Sequence, residues 1–213
     1  MTIPAEVRTL LDESAEWRLL GLLFEYPAEN WRAQVESLLP SLARADLRSI
    51  ADEALAHHSE GLHSALFGPA GTAPVREVTH KGGVQSGYLM AEISAFYDAF
   101  DYRHDAGEAD DHLAVQLGFV GFLKMKQAAA LLAGDEDSAA ITRDAAVEFL
   151  KEHIAMQAEP VAGRLEQFGP DYLIAASRLI LEHAGPSPRS SYPLTGAEDD
   201  EEMNCGSLVQ LQP

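Results

Sequence analysis

The chain has 213 residues, 46% of them hydrophobic, and a formal net charge of −19 at neutral pH. That charge excludes a nucleic-acid binder, which needs a basic face, and favours cationic partners drawn in by a negative field. A single cysteine excludes an internal disulfide and is no metal site alone, so a reducing, cytoplasmic setting is expected.

The N-terminus MTIPAEVRTLLDE has no apolar run after a basic start, so no signal peptide is expected. No uncharged run is long enough to span a bilayer, so neither is direct membrane insertion. In chain order the pattern is helix after helix. Pro4 to Phe24 places Val7, Leu10, Leu11, Trp17, Leu20 and Leu23 at helical spacing, and Pro27 stops it. Asn30 is expected to cap a short helix, Trp31 to Leu39, ending before Pro40. Asp46 to Ala56 is a third, with Leu47, Ile50 and Leu55 inward. Ser59 starts a fourth through Leu62, Leu66 and Phe67, broken by Gly68-Pro69. Residues 68 to 87 read as the longest irregular stretch, and a loop of about that length is usually functional or mobile.

Tyr88 to Phe100 resumes a helix with Ile93, Phe96, Tyr97 and Phe100 on one face, and 101 to 109 link it onward. Asp110 to Gln127 is the most apolar segment. From Leu113 to Leu123 only Gln116 is strongly polar, so this helix is expected at the centre, buried on most sides. Asp110 and Asp111 are expected to cap its start, and Lys124 and Lys126 suit its far half. Gly118 and Gly121 each cost about 1 kcal/mol against Ala in a helix interior. Sharing a face, they predict the close approach of another backbone or a ligand chain. Ser138 is expected to cap a long helix to Ala158, Pro160 to restart a shorter one to Phe168, and Tyr172 to His183 to close the set. Residues 186 to 213 open with Pro and Ser and turn acidic from Glu198 to Glu202, which predicts a disordered tail. The fold class is therefore all-α: one helical-bundle domain over 1–185, of about eight to ten helices around a buried central one.

The eight histidines invite a metal reading. None has the spacing that sets two ligands on one helical face, so no metal site is expected. Lys81-Gly82-Gly83-Val84-Gln85-Ser86-Gly87 has phosphate-loop glycines without the Walker spacing or a preceding buried strand. A hinge loop is the simpler reading. The alternative is a nucleotide-dependent switch or enzyme that closes the 68–87 loop over a small ligand. Asp111 and His112 read as a helix-start pair, the histidine neutral because a cation is disfavoured at that end. Leu66 and Phe67 read as core residues, with Phe67 also placed to line a groove mouth.

Asp-Asp-His-Leu-Ala-Val-Gln-Leu-Gly-Phe, from Asp110, resembles the signature of the TorD/DmsD/NarJ group of cytoplasmic chaperones for molybdenum oxidoreductases, with Ala109 where a proline usually stands. Leu66-Phe67-Gly68-Pro69 is similar to that family's Leu-Phe-x-Gly-Pro element, one residue shorter. Phe149-Leu150-x-x-His153-Ile154 resembles its late helix. His63 occupies the place of a usual aromatic. The resemblance covers roughly residues 10 to 185.

The resemblance implies a non-catalytic chaperone without cofactor. Its partner would be the catalytic subunit of a molybdopterin oxidoreductase of the dimethyl-sulfoxide-reductase type, bound through an N-terminal twin-arginine leader and held unexported until its cofactor is inserted. It further implies that Leu66, Phe67, Gly68, Pro69, Asp111 and His112 line the client site. A basic start followed by an apolar stretch would suit an acidic surface beside an apolar groove.

Overall fold

The computed structural model describes residues 3–82 and 86–185. Its centre is α7, Leu113–Ala133, in which the side chains from Leu113 to Val120 are all buried. A helix with no polar stripe must be wrapped, and α1 (Ala5–Phe24) lies directly along it. A Cβ added to Gly121 would stand 3.0 Å from the Ser14 carbonyl, and one on Gly21 3.0 Å from the Ala114 carbonyl. The close approach predicted at Gly121 is therefore the backbone of α1, to which Gly21 on α1 itself adds; a Cβ on Gly118 would instead stand 2.8 Å from the Tyr102 hydroxyl, a side chain.

Short helices follow α1: α2 (Trp31–Leu38), α3 (Ala45–His57) and α4 (Glu60–Phe67). Ser59 caps α4 as expected, accepting from the Leu62 N–H at 3.3 Å. Asn30 makes no capping bond. α2 ends before Pro40 as expected, at Leu38, and Pro40 sits in the 3-10 turn that follows, Leu39–Ser41, near its start where the missing N–H is not needed. Leu47 and Ile50 of α3 are buried, joined by Ala51 and Ala54, while Leu55 is only half-buried.

The stretch expected to be irregular contains a helical turn, α5 (Glu77–His80). Next comes α6 (Ser86–Ala99), whose inward face is Leu89, Ile93 and Tyr97; Phe96 and Phe100 are half-buried beside it. The central helix starts at Leu113, after the two aspartates, and runs on to Gly134, whose φ of +75° ends it in the left-handed conformation glycine favours. Asp135, not Ser138, caps α8 (Glu136–Phe149), accepting from the Ser138 N–H at 3.0 Å. A π turn, Leu150–Ile154, leads into α9 (Ala155–Phe168). Pro160 lies inside α9 instead of restarting it. A proline costs a helix one donor and some crowding, and the buried Val161, Ala162 and Leu165 hold the turns beyond it. Last comes α10 (Asp171–Ala184).

All of this is helix: among the described residues the only β pairing is one isolated bridge, Arg76 with His112. One contiguous core joins α1, α3, α6, α7, α9 and α10, as expected for an all-α domain. No described helix is long and apolar enough to cross a membrane. The expected tail, 186–213, and the glycine-rich residues 83–85 lie outside the described residues.

Candidate functional site

Gly68 and Gly71 make the turn after α4 possible. A Cβ at Gly68 would lie 2.5 Å from the Ser64 carbonyl and one at Gly71 2.3 Å from the Leu66 carbonyl, so neither position admits a side chain. The chain doubles back: the Ala73 N–H bonds the Leu66 carbonyl at 2.8 Å. It then runs beside the start of α7, where the Leu113 N–H donates to Val75 at 2.8 Å and the Glu77 N–H to Asp111 at 2.9 Å. This strap links the 66–69 element to the 111–112 pair, far apart in sequence, through residues 73–77.

Asp111 does not cap α7. Its carboxylate takes the Arg76 guanidinium and accepts the Val78 N–H at 3.2 Å, in the first turn of α5. His112 caps α7 instead, its Nδ1 accepting from the Ala114 N–H at 3.2 Å. Nδ1 is thereby the acceptor and Nε2 carries the hydrogen, aimed at Glu108 at 3.8 Å. Burial, reinforced by His63 and Arg76, pushes His112 down to about 3, so it is neutral as the sequence implied. Burial is the main cause; its place at the helix start is not.

Sequence reasoning left out most of the neighbours. His63 bonds the Phe24 carbonyl at 3.3 Å and meets Phe67 and Tyr26 edge-on, with both ring centroids 5.3 Å away. It therefore fills the aromatic position with an aromatic contact, and burial lowers its pKa. Beside it, His58 stacks on Trp31 at 4.8 Å and bonds the Tyr172 hydroxyl at 2.8 Å. Glu25, itself buried, binds Arg18 at 2.5 Å. Glu108 is raised by its own burial and by Glu25. The spacing of Glu108 one turn before His112 was the available signal for that residue; nothing local pointed to Glu25.

Exposure separates the predicted residues. Asp111 is 0% and His112 3% exposed, and Leu66 and Phe67 are buried. Pro69 is exposed, Tyr26 is 40% exposed, and the Arg76 side chain reaches solvent. The buried pair forms a floor that sets the positions of the residues above it. On the far side of Glu25, a cavity of about 300 Å³ is lined by Arg18, Tyr102, Arg103, His104 and the bare flank of Gly118 and Gly121.

The model of the family "Nitrate reductase delta subunit" matches residues 28–159, which takes in the strap, the histidine cluster and all six predicted site residues. The chain belongs to the nitrate reductase delta subunit family. It is 30% identical over 183 residues to the selenate reductase assembly chaperone protein of Thauera selenatis, covering 78% of this chain and 88% of that one. It is 28% identical over 183 residues to the chlorate reductase assembly chaperone protein of Ideonella dechloratans, covering 77% and 88%.

Two other chemistries fit this member of the family less well. Lys81, the cation a phosphate would need from the glycine-rich loop, is bonded to Glu77 at 3.0 Å and lies 3.9 Å from Glu92. Among the described residues, Glu92, Glu152 and His153 bring ligand atoms within 4.8 Å of one another, a grouping that could hold a metal ion. Two of them are exposed carboxylates, and His153 already bonds Glu77 at 3.1 Å. That glutamate belongs to a buried chain, Glu77 to Gln116 to Gln157, which ties α5, α7, the π turn and α9 together.

Proposed function

We propose that this protein is a cytoplasmic, non-catalytic assembly chaperone for the catalytic subunit of a molybdenum-containing reductase. It binds the subunit through its N-terminal leader and delays export until the cofactor is in place. The observation that carries this reading is the match to two reductase assembly chaperones over 88% of the length of each. The site supports it. Tyr26 presents an exposed ring backed by the buried His63 and Phe67, and the part-exposed Glu108 supplies negative charge that, unlike that of Glu25, is not already paired with Arg18. A leader with a cationic start and an apolar continuation matches both parts. Leu66, Gly68, Asp111 and His112 act from beneath, holding the turn and the strap in place, and Pro69 stands at the rim.

Calorimetry with a synthetic twin-arginine leader peptide of a molybdenum-containing reductase tests the proposal. Binding at low ionic strength is expected, and Tyr26→Ala and Glu108→Gln, which change the rim and leave the floor intact, are expected to weaken it about tenfold each. A folded chaperone that binds no leader at low salt would remove leader recognition from the proposal.

A further inference from the structure

A second face of the molecule, between α6 and α8, is apolar along its length and edged with carboxylates. At the outer edge of α6, Phe96 and Ala99, with Phe100 just past the helix end, line a groove; both phenylalanines rest on the core on one side and are half-exposed on the other, and the neighbouring face of α8 carries Ile141 and Ala145. These residues recur at helical spacing on two helices and enclose an open groove of about 670 Å³. Ile141 is 63% exposed, although an isoleucine on a solvated helix face gains nothing from water. Every charged side chain lining the groove is a carboxylate: Glu92, Asp144 and Glu148.

The charge is also directional. Glu92 comes within 4.8 Å of Glu152, and Phe96 meets Phe149 at 5.3 Å, so numbers rise along α6 as they fall along α8. The two helices are antiparallel across the groove. One end holds Glu92 and Glu148, and the other holds Phe100 and Ile141. Cations near the groove stand outside its lining: Lys81 lies 3.9 Å from Glu92, and Arg143 binds Asp144 at 2.9 Å. At the Phe100 end the Lys126 ammonium bonds the Phe100 carbonyl at 2.6 Å and lies over that ring. A guest with a positive charge is therefore repelled at that end and attracted at the other.

We propose that the α6–α8 groove is a docking site for an amphipathic helix of a partner polypeptide, apolar along one face and cationic at the end that meets Glu92 and Glu148. Apolar side chains of the guest at every third and fourth position fill the trough, and its cations relieve the repulsion between Glu92 and Glu152. None of the six residues at the strap lines this groove, so the site stands whether or not leaders bind beside Phe67.

The probe is a designed, fluorescently labelled peptide of about 14 residues, with leucines at helical spacing and lysines at one end; two controls are an isomer with its lysines at the other end and a scrambled isomer. At low salt the full-length chain is expected to bind the probe and to shift backbone amide signals of 92–100 and 141–148. Ile141→Asp removes the apolar lip and adds negative charge, so pure charge attraction would survive it. Glu92→Gln with Glu148→Gln removes the charge and leaves the trough. Each change is expected to weaken the probe about tenfold, and the scrambled isomer to bind about tenfold more weakly than the probe. The proposal is overturned if the probe does not bind, if its shifts fall outside the groove, or if either set of variants binds it as the parent does. Equal affinity for the two end-labelled isomers would overturn the directional part. Tyr26→Ala is expected to leave the probe unaffected, so a failure here and a failure of leader binding are separate results.

Discussion

Asp111 gives up the helix start for which its position suits it, because a stronger partner is in reach. A carboxylate with no exposed surface must be compensated, and the Arg76 guanidinium together with the Val78 N–H does so. Asp111→Asn removes the charge while keeping the shape. Arg76 is partly exposed and can turn to water, so the cost is expected at about 2 kcal/mol, the range of a bond to a charged group rather than of an abandoned buried ion. Urea unfolding measures it; an unchanged midpoint would mean that the pair stabilises nothing. The histidines behind it make a second case. Burial pushes His58 down to about 4 and His112 to about 3 from an ordinary 6.5. Below 6.5 the unfolded chain takes up protons that the folded one refuses, so stability falls as pH falls. Each group contributes about 1.4 kcal/mol per pH unit until its folded value is reached. His183, raised by its bond to Glu16, has the opposite sign and acts mainly above 6.5, where its stabilisation is lost as pH rises. Unfolding free energies at pH 6.5 and 5 are therefore expected to differ steeply. His112→Asn keeps an acceptor for Ala114 and is expected to reduce the slope by about 1 kcal/mol per unit. An unaltered slope would place the proton uptake elsewhere.

At the scale of elements, the contact between α1 and α7 rests on the absence of side chains. Gly121→Val would set a branched Cβ 3.0 Å from the Ser14 carbonyl and 3.3 Å from the Arg18 nitrogen, both main-chain atoms that cannot turn aside. Overpacking of this kind costs about 1–3 kcal/mol, which outweighs the gain of under 1 kcal/mol in helix propensity. A melting temperature at or above the parent's would show that the helices separate freely. The same glycines mark what the sequence disclosed. Long apolar periodicity placed α1, α7 and α10, and Gly118 with Gly121 foretold a close neighbour, because these signals depend on residues near in sequence. Helix starts were harder. Asp110, Asp111 and Ser138 are all good capping residues, yet His112 and Asp135 cap, since Arg76 and the strap compete for Asp111 from more than thirty positions away. The 68–87 stretch hid α5 for the same reason: Asp111 and Glu77, joined through space, hold a turn with little propensity of its own. The six site residues were legible as motifs. The burial of Asp111 and His112 was not, because no local pattern shows that the strap covers them.

The whole molecule carries its charge as a continuous field. A net charge of −19 on 213 residues pushes every part of the surface away from every other part, and compactness is maintained against it by the core. Local pairs relieve some of the repulsion: Lys124 holds Glu13 at 2.7 Å, and Arg44 links Glu16 with Asp46. With Lys and Arg at 15 against 34 Asp and Glu, most carboxylates must still rely on counterions. Screening then acts in two opposite directions. Raising the salt from about 0.05 to about 0.5 M shortens the reach of the field to a few ångströms, which relieves self-repulsion and is expected to raise the melting temperature by a few degrees. The same salt weakens capture of any cationic peptide, chiefly by slowing its association. Pairs with one buried partner, such as Asp111–Arg76, are screened less than fully exposed ones, so they do not reverse the trend. Melting curves and association rates measured across one salt series separate the two effects. A melting temperature that falls with salt, together with an unchanged association rate, would mean that local ion pairs and not the overall field govern this protein's stability and encounters.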